Sequence, residues 1–317
     1  MRAIVITAPD AAPICADFPH PTPGPGEELL DLVAAGVHQV VRTRASGAHY
    51  SSEGRFPNVP GVDAIARAAD GRLLYTGMAR QPWGTMAERM ATRLRVEIPQ
   101  DADPLAIAAG VNPAMSGWLP LSARVAETGR LGTVLVLGAT GMAGRLAVQS
   151  ALALGAERVV AAGRDPERLD AVASLGAVRV SLDAADPAAL ADTLADALNG
   201  NAPSIVLDYV WGPVAEMAFA ALSRPGLEPD AAGTVYTEIG SLAGRTAAVP
   251  AELLRSRPFR LVGSGAGSVS LERMVAEFPH VIGAIADGRL AVPYTAFPFD
   301  RVADAWAHEG DRAVLVP

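Results

Sequence analysis

Hydrophobic positions change their spacing along the chain, and the change predicts two kinds of structure. Between residues 2 and 91, short apolar runs of strand length are punctuated by glycine and proline, a pattern typical of a small β-barrel or sandwich. Residues 101–121 then show apolar positions at helical spacing. From residue 134 to residue 263, strand-length and helix-length segments alternate, which predicts a doubly wound sheet of parallel strands.

This alternation predicts six strands for the sheet and a return of the chain to its first part. The predicted strands are residues 134–137, 158–162, 178–182, 205–208, 234–239 and 259–263. A helical pattern at 271–286 and a strand pattern at 313–316 follow them. We expect residues 1–112 and 266–317 to form one discontinuous domain and residues 113–265 to form the other.

Three glycines follow the first strand of the predicted sheet at a spacing that suits a phosphate-binding turn. They lie between the strand at 134–137 and a helical pattern, and a second strand follows. Glycine lets the backbone approach a phosphate, and the helix N-terminus offers unpaired N–H groups and a positive dipole end. This context predicts a dinucleotide pyrophosphate site, and a tight turn without a ligand is the alternative. The residues expected to contact the cofactor are Gly138, Ala139, Thr140, Gly141, Met142, Ala143 and Gly144.

The end of the second strand indicates which dinucleotide binds. An NAD site places a carboxylate there for the ribose 2′-hydroxyl, whereas an NADP site needs a cation for the 2′-phosphate. Gly163 and Arg164 follow the strand, and Arg168 comes one helical turn later; the planar guanidinium group suits a phosphate. Asp165 precedes Pro166, so we interpret its carboxylate as the cap of the next helix. NADPH is therefore the predicted cofactor.

The composition is that of a globular protein and excludes several functions. Of the 317 residues, 50% are hydrophobic and 19% are charged, and the net charge is −8, so neither a nucleic acid nor a membrane is an expected partner. The chain has no lysine, which excludes a Schiff-base lysine. A single cysteine, Cys15, excludes an internal disulfide and a multi-cysteine zinc site. The N-terminal apolar run is too short for a signal peptide, and we expect a cytoplasmic protein.

Motifs spread over the whole chain are similar to those of one superfamily. They read PGPGEELLDLVAAGVH, FPNVPGVD, WGTMAERM, VNPAMSGW, GATGMAGRLAVQSALALGA, LVGSGAG and DGRLAVPYTAFPFDRVADAWAHEGDRAVLVP. In these stretches the chain resembles the medium-chain dehydrogenase/reductase superfamily, in its zinc-free quinone oxidoreductase and enoyl reductase branch. The resemblance implies an α/β fold with a GroES-like β-barrel domain and a Rossmann domain, whose doubly wound parallel sheet has six strands. It also implies NADPH and, in most members, a dimer.

Two loops that follow sheet strands are further candidates for contacting the cofactor. Ile239, Gly240 and Ser241 follow the fifth strand, and Ser264 follows the sixth. Both loops leave the carboxyl ends of predicted strands, where open α/β sheets bind ligands. We therefore expect these four residues to line the cofactor site.

The helix that joins the two predicted domains supplies candidates through the resemblance. Members of the superfamily contact the nicotinamide carboxamide or the substrate from this helix. The resemblance implies Ser116 as a cofactor contact and Asn112 and Met115 as substrate contacts. The alternative for Asn112 and Pro113 is a plain helix start, since proline is favoured in the first turn.

The chain departs from the zinc-dependent members of the superfamily. Those members have a His-Glu pair after the proline–glycine turn, a cysteine in the first substrate loop and a four-cysteine lobe. Here the turn reads Gly61-Val62-Asp63, and His38 stands in place of the cysteine. Since His38 has no partners with which to complete a tetrahedral site, we expect no metal.

Without a metal, a side chain has to polarise the substrate oxygen, and the substrate carbon needs a proton from a side chain or water. In enoyl reductases of the branch that this chain resembles, a tyrosine of the first substrate loop is the donor. The loop reads ASGAHYSS here, with His49 at that position and Tyr50 one residue further. We expect Tyr50 to be the donor, ahead of His49. His38 is a second candidate, because family members carry a pocket-lining asparagine there. Ordinary surface or structural roles are the alternatives for all three.

Three functions remain open. The expected one is a zinc-independent, NADPH-dependent reductase that transfers hydride to a small molecule, either a quinone or an activated alkene such as an enone or enoyl group. A zinc-independent carbonyl reductase or alcohol dehydrogenase would use the same cofactor site on a C=O bond. The third is a non-catalytic NADPH-binding protein that has kept the fold.

The last strand of the predicted sheet is a candidate dimer interface. Residues 258–263 would leave one row of N–H and C=O groups unpaired. In the resembling family the corresponding strands of two subunits often pair antiparallel across a twofold axis. Pro258 is compatible with such pairing, because it removes a donor only where the strand starts. We therefore expect a homodimer through this edge.

Overall fold

The computed structural model describes residues 1–47, 54–183, 186–265 and 267–317, and it divides into two compact units. The first unit comprises Met1–Pro113 and Ala276–Pro317, and the second comprises Ala114–Val275. The first boundary was expected after residue 112 and the return after residue 265. The return falls later than expected, because the chain leaves the second unit inside the helix Leu271–Ala286 and not before that helix begins.

The amino-terminal part of the first unit is rich in short strands. In chain order its elements are β1 (Arg2–Val5), β2 (Ile14–Asp17), β3 (Glu28–Gly36), α1 (Gln39–Ala45), β4 (Asp63–Arg67), β5 (Leu73–Gly77), β6 (Arg89–Thr92) and β7 (Val96–Glu97). Helix α2 (Pro104–Thr128) then carries the chain from the first unit into the second.

The second unit contains one sheet with helices between its strands. Its elements are β8 (Thr133–Leu137), α3 (Met142–Ala153), β9 (Arg158–Gly163), α4 (Pro166–Ala173), β10 (Val178–Ser181), α5 (Pro187–Ala197), β11 (Ile205–Asp208), α6 (Gly212–Leu222), β12 (Thr234–Glu238), α7 (Ala251–Ser256) and β13 (Phe259–Gly263). The strands are all parallel, in the order β10-β9-β8-β11-β12-β13. The order reverses direction between β8 and β11, and open sheets bind ligands at the carboxyl ends beside such a reversal.

The chain ends in the first unit. After α8 (Leu271–Ala286) come β14 (Tyr294–Pro298), α9 (Val302–Ala307) and β15 (Arg312–Val316). A sheet of seven strands has the order β14-β15-β3-β4-β5-β7, with β6 also paired to β3, and β1 and β2 form a separate pair. The predicted combination of a β-rich GroES-like domain with a six-stranded parallel Rossmann sheet is confirmed.

Burial on both faces explains why the sheet strands read as continuous apolar runs. All five residues of β8 are buried. Leu135 and Leu137 belong to a core cluster on one face, together with Phe219 of α6. Val134 and Val136 belong to a second cluster on the other face. Since neither face is solvated, the apolar residues from Val134 to Leu137 follow one another without an alternating polar position.

Several elements depart from the sequence-based expectation. Helix α2 was expected over 101–121 but continues to Thr128, with Pro113 inside it. The stripe of buried residues continues across the proline, with Val111 and Met115 on either side, and this burial offsets the hydrogen bond that proline cannot make. Helix α1 was not predicted, since it buries only Val41 and Ala45. Among the described residues, no helix combines the length and the apolar character needed to cross a bilayer.

Candidate functional site

The glycine-rich turn after β8 is held against the end of β9. Gly138 has a φ of +89°, a conformation that favours glycine. Its N–H group and that of Ala139 both donate to the carbonyl oxygen of Ala162, at 2.9 Å. A Cβ on Gly144 would overlap the carbonyl oxygen of Gly138 and lie 2.8 Å from the Cα of Ala139. Glycine at residue 144 is therefore what allows α3 to begin this close to the turn.

The N-terminus of α3 has the features of an anion-binding cradle. The N-cap residue is Gly141, which has no side chain to accept hydrogen bonds from the first N–H groups of the helix, and the first turn has no acidic residue. A Cβ on Gly141 would meet only the carbonyl oxygen of Gly138, at 3.8 Å. The first helical residues, Met142 and Ala143, have N–H groups with no acceptor inside the helix. A pyrophosphate fits here, because free N–H groups and the positive end of the helix dipole both favour an anion.

An arginine follows the end of β9, where dinucleotide-binding folds place the residue that distinguishes NADPH from NADH. A Cβ on Gly163 would overlap Cγ2 of Thr140 and lie 3.0 Å from its Oγ1, so a side chain at residue 163 would require Thr140 to move. The first side chain after the strand is therefore that of Arg164. It is exposed and has no hydrogen bond or ion pair within the described residues, so its guanidinium group is available to a phosphate.

Asp165 is occupied by the helix that follows. Its carboxylate accepts a hydrogen bond from the backbone N–H of Arg168 at 3.1 Å, and Pro166 begins α4. This capping role was predicted from the sequence and is confirmed. The Nε of Arg168 also lies 3.3 Å from the same carboxylate. Arg168 is thus exposed but already paired, which distinguishes it from the arginine at the strand end.

The residues that follow β11 pack against the glycine turn that follows the neighbouring strand, β8. A Cβ on Gly138 would lie 3.1 Å from Cγ1 of Val210 and 3.2 Å from Cβ of Tyr209. The hydroxyl of Tyr209 lies 3.0 Å from that of Ser116. Burial raises the pKa of Tyr209 far above its usual value, so the hydroxyl keeps its proton. Ser116, a predicted cofactor contact, is thereby linked to a residue that packs against the turn.

Asp208, the last residue of β11, fixes the backbone of the loop that follows. Its carboxylate accepts hydrogen bonds from the N–H groups of Val210 at 2.8 Å and Trp211 at 2.9 Å. The hydroxyl of Tyr236 donates to the other oxygen at 2.6 Å. Trp211 has a φ of 55°, a backbone conformation that residues other than glycine rarely adopt without such support. Burial raises the pKa of Asp208, and the three donors oppose that rise.

The loop after β12 is tied to the same aspartate. The N–H groups of Ile239 and Gly240 donate to the carbonyl oxygen of Asp208, at 2.8 and 3.2 Å. Ser241 is exposed. Ser264 is half-buried, and its N–H donates to the carbonyl oxygen of the last residue of β12 at 2.8 Å. These predicted residues all lie at the carboxyl edge of the sheet, as their positions after the strands required.

Replacing Tyr236 with phenylalanine tests the buried carboxylate. The change removes the donor to Asp208 and should cost about 1–3 kcal/mol of unfolding free energy at neutral pH. Burial already raises the folded-state pKa of Asp208, and loss of the donor raises it further. A folded state that binds more protons than the unfolded state loses stability as pH rises from the unfolded pKa through the folded pKa. Urea unfolding should therefore show a larger cost at about pH 7.5 than at about pH 4.5.

Tyr209→Phe is the matched control for this measurement. The hydroxyl of Tyr209 is bonded to the hydroxyl of Ser116 and not to a carboxylate. Removal of this hydroxyl should lower the free energy of unfolding by the same amount at both pH values. A cost for Tyr236→Phe that is equally independent of pH would contradict the raised pKa of Asp208.

His38 lies in the interior of the first unit. Its side chain is 2% exposed, and its Nε2 lies 3.0 Å from Oδ1 of Asp63, without the angle of a hydrogen bond. The other oxygen of Asp63 accepts a hydrogen bond from the hydroxyl of Tyr75 at 2.9 Å. The ring of Tyr75 packs against Phe278, with centroids 4.9 Å apart. Within its own unit, the histidine is enclosed in a buried polar cluster.

The remaining predicted residues fall in two groups. Tyr50 and His49 lie outside the described residues. Asn112 is half-buried and Met115 is buried, both inside α2. The alternative of a helix start at Asn112 is wrong, because the helix begins at Pro104. Within the described ranges, no three His, Cys, Asp or Glu side chains are placed to share a metal ion.

Asp208 and Tyr209 are part of the site but were not identified from the sequence. They end the apolar run that forms β11, which reads IVLDY from residue 205. Polar residues that terminate a buried strand at the carboxyl edge are a usable signal, because that edge is where ligands bind. The signal does not say whether such a residue contacts a ligand or holds the loops around it.

Comparison with known proteins agrees with this architecture. A model of zinc-binding dehydrogenases matches residues 143–228, which lie in the second unit. A probable NADPH-dependent quinone reductase of Emericella nidulans is 30% identical over 365 aligned positions, which cover 99% of each chain. A mycobacterial quinone oxidoreductase structure superposes with a TM-score of 0.83 at 21% identity, covering all of both chains. The quinone oxidoreductase of Thermus thermophilus, whose structures include an NADPH complex, does so with a TM-score of 0.79 at 25% identity and the same coverage.

The match to the Emericella nidulans protein covers the full length of both chains, so it shows a shared family as well as a shared fold. This chain belongs to the medium-chain dehydrogenase/reductase superfamily, in its quinone oxidoreductase branch. The resemblance inferred from the motifs is thereby confirmed. The matched zinc-binding dehydrogenase model covers part of the dinucleotide-binding unit, so its name carries no information about metal ligands in the first unit.

Proposed function

We propose that the protein is an NADPH-dependent reductase that passes hydride to a quinone or an activated alkene without zinc. The observation that carries the proposal is the glycine cradle at α3 with the unpaired Arg164 at the end of β9. The cradle suits the pyrophosphate common to both nicotinamide cofactors, and the arginine suits the 2′-phosphate that only NADPH has. The Emericella nidulans relative, itself named as NADPH-dependent, supports this cofactor.

The residues of this chain have three tasks in such a reaction. Bound NADPH supplies a hydride from its nicotinamide ring to the substrate. The N-terminus of α3 holds the cofactor's pyrophosphate, and Asp208 keeps the surrounding loops in place. The substrate oxygen gains negative charge during reduction and needs a hydrogen-bond donor. We propose Tyr50 for this role, ahead of His49.

Zinc independence is proposed from the chemistry of the available ligands. The chain has one cysteine, and Asp63, the carboxylate beside His38, is already bonded to Tyr75. In the part of the chain that the structure describes, no third ligand accompanies the pair His38 and Asp63. A tetrahedral catalytic site requires three protein ligands, so a hydrogen-bond donor is the simpler means of polarising the substrate.

Oxidation of NADPH in the presence of a quinone, an enone or a ketone tests this function. We expect oxidation with the quinone or the enone, at a rate that exhaustive chelation does not change. Activity confined to the ketone would instead make the protein a carbonyl reductase. Tight NADPH binding without any turnover would indicate a non-catalytic binding protein. Stoichiometric zinc in the purified, active protein would contradict the proposed mechanism.

We also propose that two copies pair through β13, the terminal strand of the sheet. The N–H of Ser264 and the carbonyl oxygen of Pro258 are both bonded to β12, each at 2.8 Å. Because the direction of these groups alternates along a strand, even-numbered residues face β12 and odd-numbered residues face the open edge. Leu261 therefore turns its N–H group outward, whereas Val262 contributes to the sheet.

Leu261→Pro should weaken the dimer and leave the sheet intact. The change removes one edge hydrogen bond, and it acts twice in a twofold dimer, so the Kd should rise by about 10- to 100-fold. Sedimentation at micromolar concentration measures this change. Val262→Pro is the control, and it should lower the Tm because it breaks the ladder to β12. A monomer mass for the unaltered protein would rule the dimer out.

A further inference from the structure

Arg145 is an unpaired cation at a position that disfavours one. It is the fourth residue of α3, and its N–H makes a bond of 2.8 Å to the carbonyl oxygen of Gly141. The side chain is half-buried, and its Nε is buried without a hydrogen-bond partner. Within the described residues, no hydrogen bond or ion pair reaches its guanidinium group. A positive charge near the positive end of a helix dipole is unfavourable, and a bound anion at this end of α3 would offset it.

Helix geometry directs this side chain toward the glycine cradle. Side chains of an α-helix lean toward its N-terminus, and each covers the surface over the preceding turn. Arg145 follows Gly141 by four residues and therefore lies on the same face of α3. A Cβ on Gly141 would meet only the carbonyl oxygen of Gly138, at 3.8 Å. The space beside Gly141 can therefore admit a phosphate, and a side chain that leans from Arg145 over the preceding turn can reach it.

We propose that Arg145 binds the pyrophosphate of the dinucleotide, an inference that rests on the proposed function. The first turn of α3 has no acidic residue and no side-chain cap, so its positive end is not neutralised from within the helix. A pyrophosphate supplies two negative charges at this point, and the planar fork of arginine suits phosphate oxygens. Arg145 then acts on the part that NADPH and NADH share, whereas Arg164 acts on the 2′-phosphate.

Binding of NADPH, NADH and ADP-ribose to Arg145→Met and Arg145→Lys tests the proposal. ADP-ribose has the pyrophosphate but lacks the nicotinamide and the 2′-phosphate, so its binding is independent of catalysis. Calorimetry should show all three ligands weakened by a similar factor of about 10 to 100 in Arg145→Met. Arg145→Lys should recover part of that loss, because it keeps the charge. The Tm of ligand-free Arg145→Met should rise by about 1–3 °C, since an unfavourable charge is removed.

The control is Arg224→Met. Arg224 follows the C-terminal end of α6 and is paired with Asp192, and its replacement should leave all three affinities unchanged. Unaltered binding by Arg145→Met would overturn the proposal, as would a loss confined to NADPH or a lower Tm that Arg145→Lys does not repair. If the unaltered protein binds neither dinucleotide, the proposed function fails as well. If it binds them and Arg145→Met binds them equally, only the role of Arg145 is refuted.

Discussion

Gly144→Ala is expected to destabilise the second unit and to abolish dinucleotide binding. The new Cβ would overlap the carbonyl oxygen of Gly138 and lie 2.8 Å from the Cα of Ala139. Both neighbours are backbone atoms, which cannot rotate away as a side chain could. We expect a loss of about 3 kcal/mol, the upper end of the usual range for overpacking, and a Tm lower by about 6–12 °C. Thermal unfolding and NADPH calorimetry measure the two effects.

Gly141→Ala separates the two effects. Gly141 has a φ of −77° and a ψ of 162°, which alanine adopts without strain. The added methyl group would have only the carbonyl oxygen of Gly138 nearby, at 3.8 Å. Stability should therefore change by less than about 1 kcal/mol. NADPH should nevertheless bind about tenfold more weakly or worse, because crowding of about 1–3 kcal/mol falls on the pyrophosphate.

Two results would contradict this interpretation of the glycine turn. If Gly141→Ala binds NADPH as tightly as the unaltered protein, the space before α3 is not the pyrophosphate site. If Gly144→Ala keeps its Tm, the turn and the helix are less closely packed than the structure shows. The two glycines lie in one motif, so only their different surroundings can produce different results.

The parallel sheet was predictable because its central strands have a strong local signal. All residues of β8 and β11 are buried, and this burial leaves continuous apolar runs at 134–137 and 205–207 in the sequence. The turn after β8 was predictable for a related reason. Glycine is required there by close backbone contacts, so its spacing survives in the sequence as a motif. Asp165 was also interpretable, since proline after a carboxylate marks a helix start.

The parts that could not be predicted depend on contacts distant in sequence. Asp208 matters because Tyr236, from the next strand of the sheet, donates to its carboxylate. Arg145 appears in the sequence as an ordinary helical arginine, and only the structure shows that it has no partner among the described residues. Helix α2 continues through Pro113 because tertiary burial outweighs local propensity. In each case the deciding interaction is absent from the local pattern of residues.

Arg164→Ala is expected to change the preference between cofactors. Losing a charge-assisted contact to the 2′-phosphate should cost about 1.5–3 kcal/mol, so the Kd for NADPH should rise by roughly 10- to 150-fold. The Kd for NADH should change by less than about twofold, because NADH has no group at that position. Titration of both cofactors under the same conditions measures the ratio.

Arg168→Ala is the matched control for Arg164→Ala, because Arg168 is exposed as well but is paired with Asp165. Its replacement should affect NADPH less than the loss of Arg164 does. Both guanidinium groups are exposed, so the preference of the unaltered protein for NADPH should shrink as salt is added. Equal affinities for NADPH and NADH in the unaltered protein at low salt would refute the assignment of Arg164. A preference that Arg164→Ala leaves unchanged would place the 2′-phosphate elsewhere.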